Sequence, residues 1–178
     1  MKKQKKNEFL MILSQISHSA AENAESLFKL INGETVTTEE FDGVIIRNTL
    51  LKLEKTYFTP LEREDIFAVM CTLLKLHHSI TVLCKKIKIT DIFNLSSADR
   101  NLISDLISAI KRCDNMVCSL TAIPKCPDIT ENYIEISNIC VETKSKDNNA
   151  QLYKEINICL KECYNSAEII YKSYLKNT

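Results

Sequence analysis

Glycine and proline are scarce in this sequence, with 2 glycines and 3 prolines among 178 residues. These two residue types dominate tight turns, so the composition excludes an all-β fold, which needs many of them. Apolar residues instead recur at steps of three and four along most of the chain, as on one face of an α-helix. We therefore predict an all-α fold in a single domain spanning residues 1–178.

Six amphipathic helices with short connections favour an antiparallel bundle. Capping boxes, in which a hydroxyl or carboxylate is followed three residues later by an acid, predict helix starts at Thr37, Thr59, Ser96 and Asp128. Gly33 stands where a helix end favours a left-handed residue. The predicted helices run from Glu8 to Asn32, Thr37 to about Tyr57, Thr59 to about Ile89, Ser96 to Pro124, Asp128 to about Lys144, and through Leu152 to Tyr174.

Charge is balanced, with 23 basic and 23 acidic residues, which argues against a general nucleic-acid binder. Residues 1–6 are rich in lysine and are predicted to form a basic flexible tail, whose contact with a membrane would be at most peripheral. The residues that follow do not form the long apolar stretch of a secretion signal. We therefore expect a cytoplasmic protein.

The chain contains 8 cysteines, which we expect to be reduced and to serve as small apolar side chains. Cys159 and Cys163 are four residues apart and share one helix face. Such a pair is either half of a metal site or part of a packed face, and neighbouring leucines and isoleucine favour the packed face. No CxxC pair, the usual spacing of a structural zinc site, is present.

Sequence motifs of catalysis are missing, since there is no GxSxG and no glycine-rich phosphate loop. His77 and His78 are adjacent, so on a helix they point about 100° apart and rarely share one ion. No cysteine and histidine are close enough in sequence to suggest a thiol nucleophile. We therefore predict no catalytic residue and no cofactor, and we favour a binding or regulatory protein over an enzyme.

Residues 53–66 read LEKTYFTPLEREDI and resemble the L-x-x-T-F-x-T-P-x-D-R-E-D-I signature of the PhoU-like phosphate transport regulators. The likeness is to the branch that accompanies Pit-type phosphate permeases, and residues 19–24 of the first helix are similar to that branch too. The resemblance extends over nearly the whole chain. It implies two similar three-helix halves and a cytoplasmic regulator of inorganic phosphate uptake. The implied partner is a Pit-type permease, reached by docking; the oligomeric state stays open, a homo-oligomer included.

The resemblance also implies paired carboxylates, spaced E/D-x-x-x-D on neighbouring helices, which could surround a hard cation. This sequence departs from that pattern, so we predict no metal site. The first pair falls on Glu39 and Gly43, and acids are absent near Ile136 and Cys140. The remaining family positions fall on Leu74, Lys75, His78, Lys161 and Asn165.

The alternative hypothesis is a metal-binding helical bundle that uses other ligands in place of the missing carboxylates. Glu39 and His78 would each supply one ligand, and Cys71, seven residues before His78 and so close to the same helix face, would be the third. Such nitrogen and sulfur ligands would favour zinc or iron over magnesium or calcium.

Overall fold

In the computed structural model, which describes residues 8–89, 95–120, 128–144 and 151–177, the described chain forms six α-helices and no strand. The predicted all-α bundle is therefore confirmed. The basic tail at residues 1–6 and Cys126 lie outside the described residues. The helices are α1 (Glu8–Ile31), α2 (Gly43–Lys55), α3 (Arg63–Ile89), α4 (Ser97–Leu120), α5 (Asp128–Lys144) and α6 (Gln151–Lys176).

Four of the helices, α1, α3, α4 and α6, pack around a common core, and α5 lies against α4 and α6. Contacts between helices show their directions. Near the two ends of their contact, α1 and α4 are joined by Ser17 with Asp114 and by the Ile31 carbonyl with Arg100, so these helices are antiparallel. In contrast, Ser19 of α1 contacts His77 of α3 and Asn23 contacts Thr81, so α1 and α3 run in the same direction, as expected for the first and third helices of an up-down-up half.

Helix α2 packs only sparsely against α1 and α3, whereas its counterpart in the second half, α5, is firmly packed. Thr49 and Leu53 are the two α2 side chains that are buried. The two halves therefore share the order of their helices but differ in how firmly the middle helix is attached.

The central helix α3 carries the most continuous apolar stretch of the chain. Within the described residues, Arg63–Lys88 is the one stretch long and apolar enough to cross a membrane by length and composition. More than half of its most apolar window is buried inside the bundle, at 56%. Fully buried side chains such as Leu73, Ile80 and Leu83 account for this burial. The pattern is the one expected for the core helix of a bundle.

Helix ends follow the sequence signals in three places, and the first is Asp128, where α5 begins as predicted. At Ser96, the hydroxyl accepts a hydrogen bond from the Asp99 amide (3.2 Å), while the Asp99 carboxylate accepts one from the Ser96 amide (3.0 Å). This reciprocal pair is the predicted capping box at the start of α4. Gly33 follows α1 with φ at 83°, and its amide donates to the Leu30 carbonyl, as predicted for a left-handed helix end.

The predicted helix starts at Thr37 and Thr59 are wrong. Helix α2 begins at Gly43, and Asp42 caps it by accepting a hydrogen bond from the Val44 amide at 2.8 Å. Residues 34–42 instead cross over α1 and α3, where Lys88 donates to the Val36 carbonyl at 2.6 Å. These tertiary contacts outweigh the local capping preference, and we call residues 34–42 the strap.

Helix α3 likewise begins at Arg63 and not at Pro60. The Thr59 hydroxyl donates to the Leu61 carbonyl at 2.5 Å, within a non-helical connection. Leu61 is buried in the core, which requires an extended path for the chain before the helix begins. Anchoring this one leucine therefore displaces the helix start by about one turn.

Candidate functional site

The connection between α2 and α3 has a buried side and an exposed side. Leu53, Leu61 and Ile66 point into the core and fix the path of the chain. Between them, Tyr57 is 88% exposed and Phe58 is 93% exposed. Two adjacent aromatic side chains that are almost wholly in water are costly to leave uncovered, because each removes a large apolar area from water when buried.

Further exposed apolar side chains lie on α2 and α3, the two helices that the connection joins. Val44 and Leu51 are seven residues apart, so they share one face of α2, and both are exposed. Phe67, one turn into α3, is about half exposed. We define the junction patch as Val44, Leu51, Tyr57, Phe58 and Phe67. Tyr57 and Phe58 are adjacent, and exposed apolar side chains that adjoin one another typically mark an interaction site, unlike single exposed apolar residues.

A groove of about 430 Å³ lies between α2 and α3 beside the junction patch. Its walls are almost entirely apolar, with Leu50, Leu53 and Phe67 as the large apolar side chains. The Arg63 guanidinium donates to the Glu54 carbonyl oxygen at 3.3 Å and so joins the end of α2 to the start of α3. The groove is therefore held open between two connected helices.

A second feature is a buried polar cluster between α1, α3 and the strap. Asn23 Nδ2 lies 3.1 Å from the Glu39 carbonyl oxygen and 3.2 Å from both Thr81 Oγ1 and His77 Nε2. Its two hydrogens can serve two of these three acceptors. The Ser19 hydroxyl, 3.1 Å from His77 Nε2, can donate to the third. All three acceptors are thereby satisfied when His77 is neutral.

His77 is 3% exposed, and the ring of Phe41 from the strap meets it edge-on at 6.2 Å between centroids. Burial lowers the pKa of His77 below its ordinary value of 6.5, and the neighbouring His78 lowers it further. Glu40 acts in the opposite direction but does not reverse the shift. The cluster is a structural junction that holds the strap onto the bundle through a neutral histidine.

The lowered pKa of His77 predicts a loss of stability on acidification. Because the unfolded chain protonates at the ordinary value of 6.5 and the folded chain only below it, the unfolded state binds more protons in between. The free energy of unfolding should therefore fall as the pH drops below 6.5 and stay level above it. Urea unfolding measured at a series of pH values checks this result.

A His77→Gln variant should lose most of that pH dependence, because glutamine can accept the same hydrogen bond without titrating. His78→Gln is the matched control: His78 is exposed, and its replacement should leave in place the larger part of the dependence, which comes from the burial of His77. The contrary result is a wild-type free energy of unfolding that stays constant from pH 6.5 down to the range where carboxylates titrate. That result would show that His77 is not held neutral by burial.

The residues of the alternative metal hypothesis occupy separate environments. Glu39 lies on the strap with its side chain exposed, and His78 is exposed on α3. Cys71 is partly buried, and burial raises the pKa of its thiol against the opposing effect of Lys75. In the part of the chain that the structure describes, no group of three or more histidine, cysteine, aspartate or glutamate side chains is arranged to hold a metal ion. These three residues are thus not brought together as one ligand set.

Cys159 and Cys163 lie in the core on α6, the helix that packs against α3, α4 and α5, as the packed-face interpretation predicts. Burial raises the pKa of Cys159 to about 12. A hydrogen bond with Cys113, followed by burial, raises the pKa of Cys163 well above the ordinary thiol value. Because the thiolate is the form that ligates metals and attacks electrophiles, these thiols are held in their unreactive form.

One polar group escaped the sequence reasoning because its members are 97 residues apart. The Ser17 hydroxyl donates to Asp114 Oδ1 at 2.5 Å, and His18 Nδ1 lies 3.4 Å from Asp114 Oδ2. The order is serine–aspartate–histidine, so the histidine is not placed to take the proton of the buried serine, as general-base catalysis would require. The group joins α1 to α4 instead.

Comparison with known proteins adds nothing to the resemblance of residues 53–66 to the PhoU-like regulators. No protein-family model matches the chain, and no curated protein matches it either. The functional conclusion therefore depends on that resemblance together with the geometry described above.

Proposed function

We propose that this chain is a regulatory accessory protein of inorganic phosphate transport, which acts by docking onto a Pit-type phosphate permease and not by catalysis. The proposal includes a cytoplasmic location, at the inner face of the membrane that holds the permease. The family assignment comes from residues 53–66, whose signature is similar to that of PhoU-like regulators. The docking surface comes from the geometry of the same residues.

A single observation carries the proposal: the stretch most similar to the family also holds the two aromatic side chains that are most exposed among the described residues. Within this stretch, Leu53 and Ile66 are buried in the core, whereas Tyr57 and Phe58 are exposed and do not pack against the core. An exposed aromatic pair on a connection anchored at both ends is a preorganised binding element. Aromatic residues of this kind commonly supply the largest share of the affinity at protein interfaces.

The first test is co-purification of a Pit-type permease with the affinity-tagged chain from gently solubilised membranes. The wild-type chain should retain the permease, and a Tyr57→Ser/Phe58→Ser double variant should lose it. Two aromatic anchors at about 2 kcal/mol each correspond to a drop in affinity of roughly a thousandfold. Because both side chains are almost fully exposed, the double variant should fold as stably as the wild type.

Phe28→Ser provides the matched control. Phe28 is 56% exposed, but it lies on α1 facing α4, away from the α2–α3 connection. This variant removes an exposed phenyl group of the same size and should still retain the permease. Equal retention of the permease by the double variant and the wild type would rule out the junction patch as the docking surface. If the wild type does not retain the permease, a Pit-type permease is not the partner of this chain.

A further inference from the structure

We propose that His77 is an acid-sensitive latch: its protonation promotes the release of the strap together with α2, while the rest of the described bundle stays folded. The release is a local opening of residues 34–55 and is distinct from the loss of global stability. It follows from the polar cluster and from the way α2 is attached, and it requires no permease.

Hydrogen-bond donors surround His77 Nε2. The Ser19 hydroxyl lies at 3.1 Å and the Asn23 amide nitrogen at 3.2 Å, so Nε2 is an acceptor in the neutral ring. These two α1 residues carry no charge, and their neighbours His18 and Glu22 are exposed and contact each other instead. Protonation turns Nε2 into a donor that faces the hydrogens of Asn23. Ser19 can rotate its hydroxyl to accept, but Asn23 can accept only by turning its side-chain oxygen toward the ring.

The same Asn23 amide ties the strap to the bundle. Asn23 Nδ2 also lies 3.1 Å from the backbone carbonyl oxygen of Glu39, whose side chain is exposed. When the amide is reversed, the Glu39 carbonyl faces the Asn23 oxygen and has lost that donor. A buried carbonyl without a donor is costly, and so is a buried charged ring. Movement of the strap away from His77 relieves both costs, because water then reaches the carbonyl and the ring.

The charged groups on the strap and α3 do not compensate the protonated ring. The Glu40 carboxylate favours the charged form of His77, but it already pairs with Lys85 Nζ at 2.6 Å and is exposed. His78, the neighbour on α3, disfavours that form. The protonated ring is therefore more stable in water than beneath the strap, and protonation shifts the equilibrium toward the open state.

Helix α2 has few contacts that would hold it once the strap is free. It has 13 residues, a length at which an isolated helix is marginal, and Thr49 and Leu53 are its buried side chains. The strap bond from Lys88 to the Val36 carbonyl is exposed and contributes little. Segments with few buried contacts open at a lower free energy than the core. Because α2 directly follows the strap, the two are expected to open as one unit.

Hydrogen exchange of the purified full chain under native conditions tests the release. Opening takes up one proton below pH 6.5, so the protection of α2 amides, corrected for intrinsic exchange rates, should fall about tenfold per pH unit until the pKa of the buried His77 is reached. Exchange in α2 should depend only weakly on urea, because a local opening exposes little surface. Core amides of α4 and α6 should instead show the strong urea dependence of global unfolding.

Two variants separate the latch from the other strap contacts. In His77→Gln the protection of α2 should not change with pH, because glutamine accepts the same hydrogen bonds without titrating. Lys88→Met is the matched control: it removes the bond to the Val36 carbonyl, so α2 protection should fall about fivefold at every pH while the pH dependence remains.

Three results would overturn the inference. The first is exchange of α2 amides with the same urea dependence as the core, since α2 would then open only by global unfolding. The second is a wild-type α2 protection that does not change below pH 6.5. The third is a pH dependence that persists in His77→Gln, because another group would then be the one that titrates.

Discussion

The core thiols Cys84, Cys113, Cys159 and Cys163 are expected to react with iodoacetamide at least about a thousandfold more slowly than Cys118 in the native protein. All four are at most 1% exposed, whereas Cys118 is exposed on α4. Burial also raises the pKa of Cys84 and of Cys159 to about 12, which removes nearly all thiolate at neutral pH. Reaction then requires local or global opening of the bundle.

Mass spectrometry of each cysteine peptide after timed labelling at neutral pH measures these rates. Cys126, which lies outside the described residues, is replaced by serine, and Cys118 then serves as the single reference thiol for a fast reaction. Labelling in denaturant is the control, in which core and reference thiols should react at similar rates. Native rates for the core thiols within tenfold of Cys118 would contradict the packing of α6 against α3 and α4.

The fold could be predicted from sequence to the level of six helices because each helix carries a sustained apolar face. Steps of three and four residues locate α1, α4 and α6 well, since these helices bury one side against the core. The weak attachment of α2 could not be predicted in the same way. Its apolar residues, Val44 and Leu51 among them, form a pattern that does not distinguish a face packed on the core from one exposed to water.

The wrong helix starts at Thr37 and Thr59 show why local signals fail in places. A capping box contributes on the order of 1 kcal/mol, which is comparable to one or two tertiary hydrogen bonds. The strap residue Val36 accepts a hydrogen bond from Lys88 of α3, and Leu61 is anchored in the core. Neither partner is visible to reasoning that looks only a few residues along the chain.

The candidate site was partly accessible from sequence. The signature at residues 53–66 located the distinctive region, but the exposure of Tyr57 and Phe58 depends on how α2 and α3 are placed in space. The polar cluster was beyond reach, because Asn23 and His77 are 54 residues apart and meet only when α1 packs on α3. The sequence alone gives His77 no partner, so the role of His77 in holding the strap could not be predicted.

Removal of the aromatic pair is expected to abolish the effect of this chain on phosphate uptake. If docking through Tyr57 and Phe58 is the route of regulation, a Tyr57→Ser/Phe58→Ser variant is equivalent to having no chain at all. The expected effect is large because a roughly thousandfold loss of affinity leaves the permease almost entirely unoccupied at ordinary cellular concentrations. The bundle itself should be unaffected, since neither side chain contributes to the core.

The direct measurement is the initial rate of radiolabelled phosphate uptake by cells that contain one Pit-type permease and either no chain, the wild type, the Tyr57→Ser/Phe58→Ser variant or Phe28→Ser. Immunoblots establish that the three proteins are equally abundant. The proposal predicts that the wild type and Phe28→Ser change the rate to the same extent, while the double variant gives the rate of cells without the chain. A rate unaffected by the wild type, or changed equally by the wild type and the double variant, would contradict regulation by docking through the junction patch.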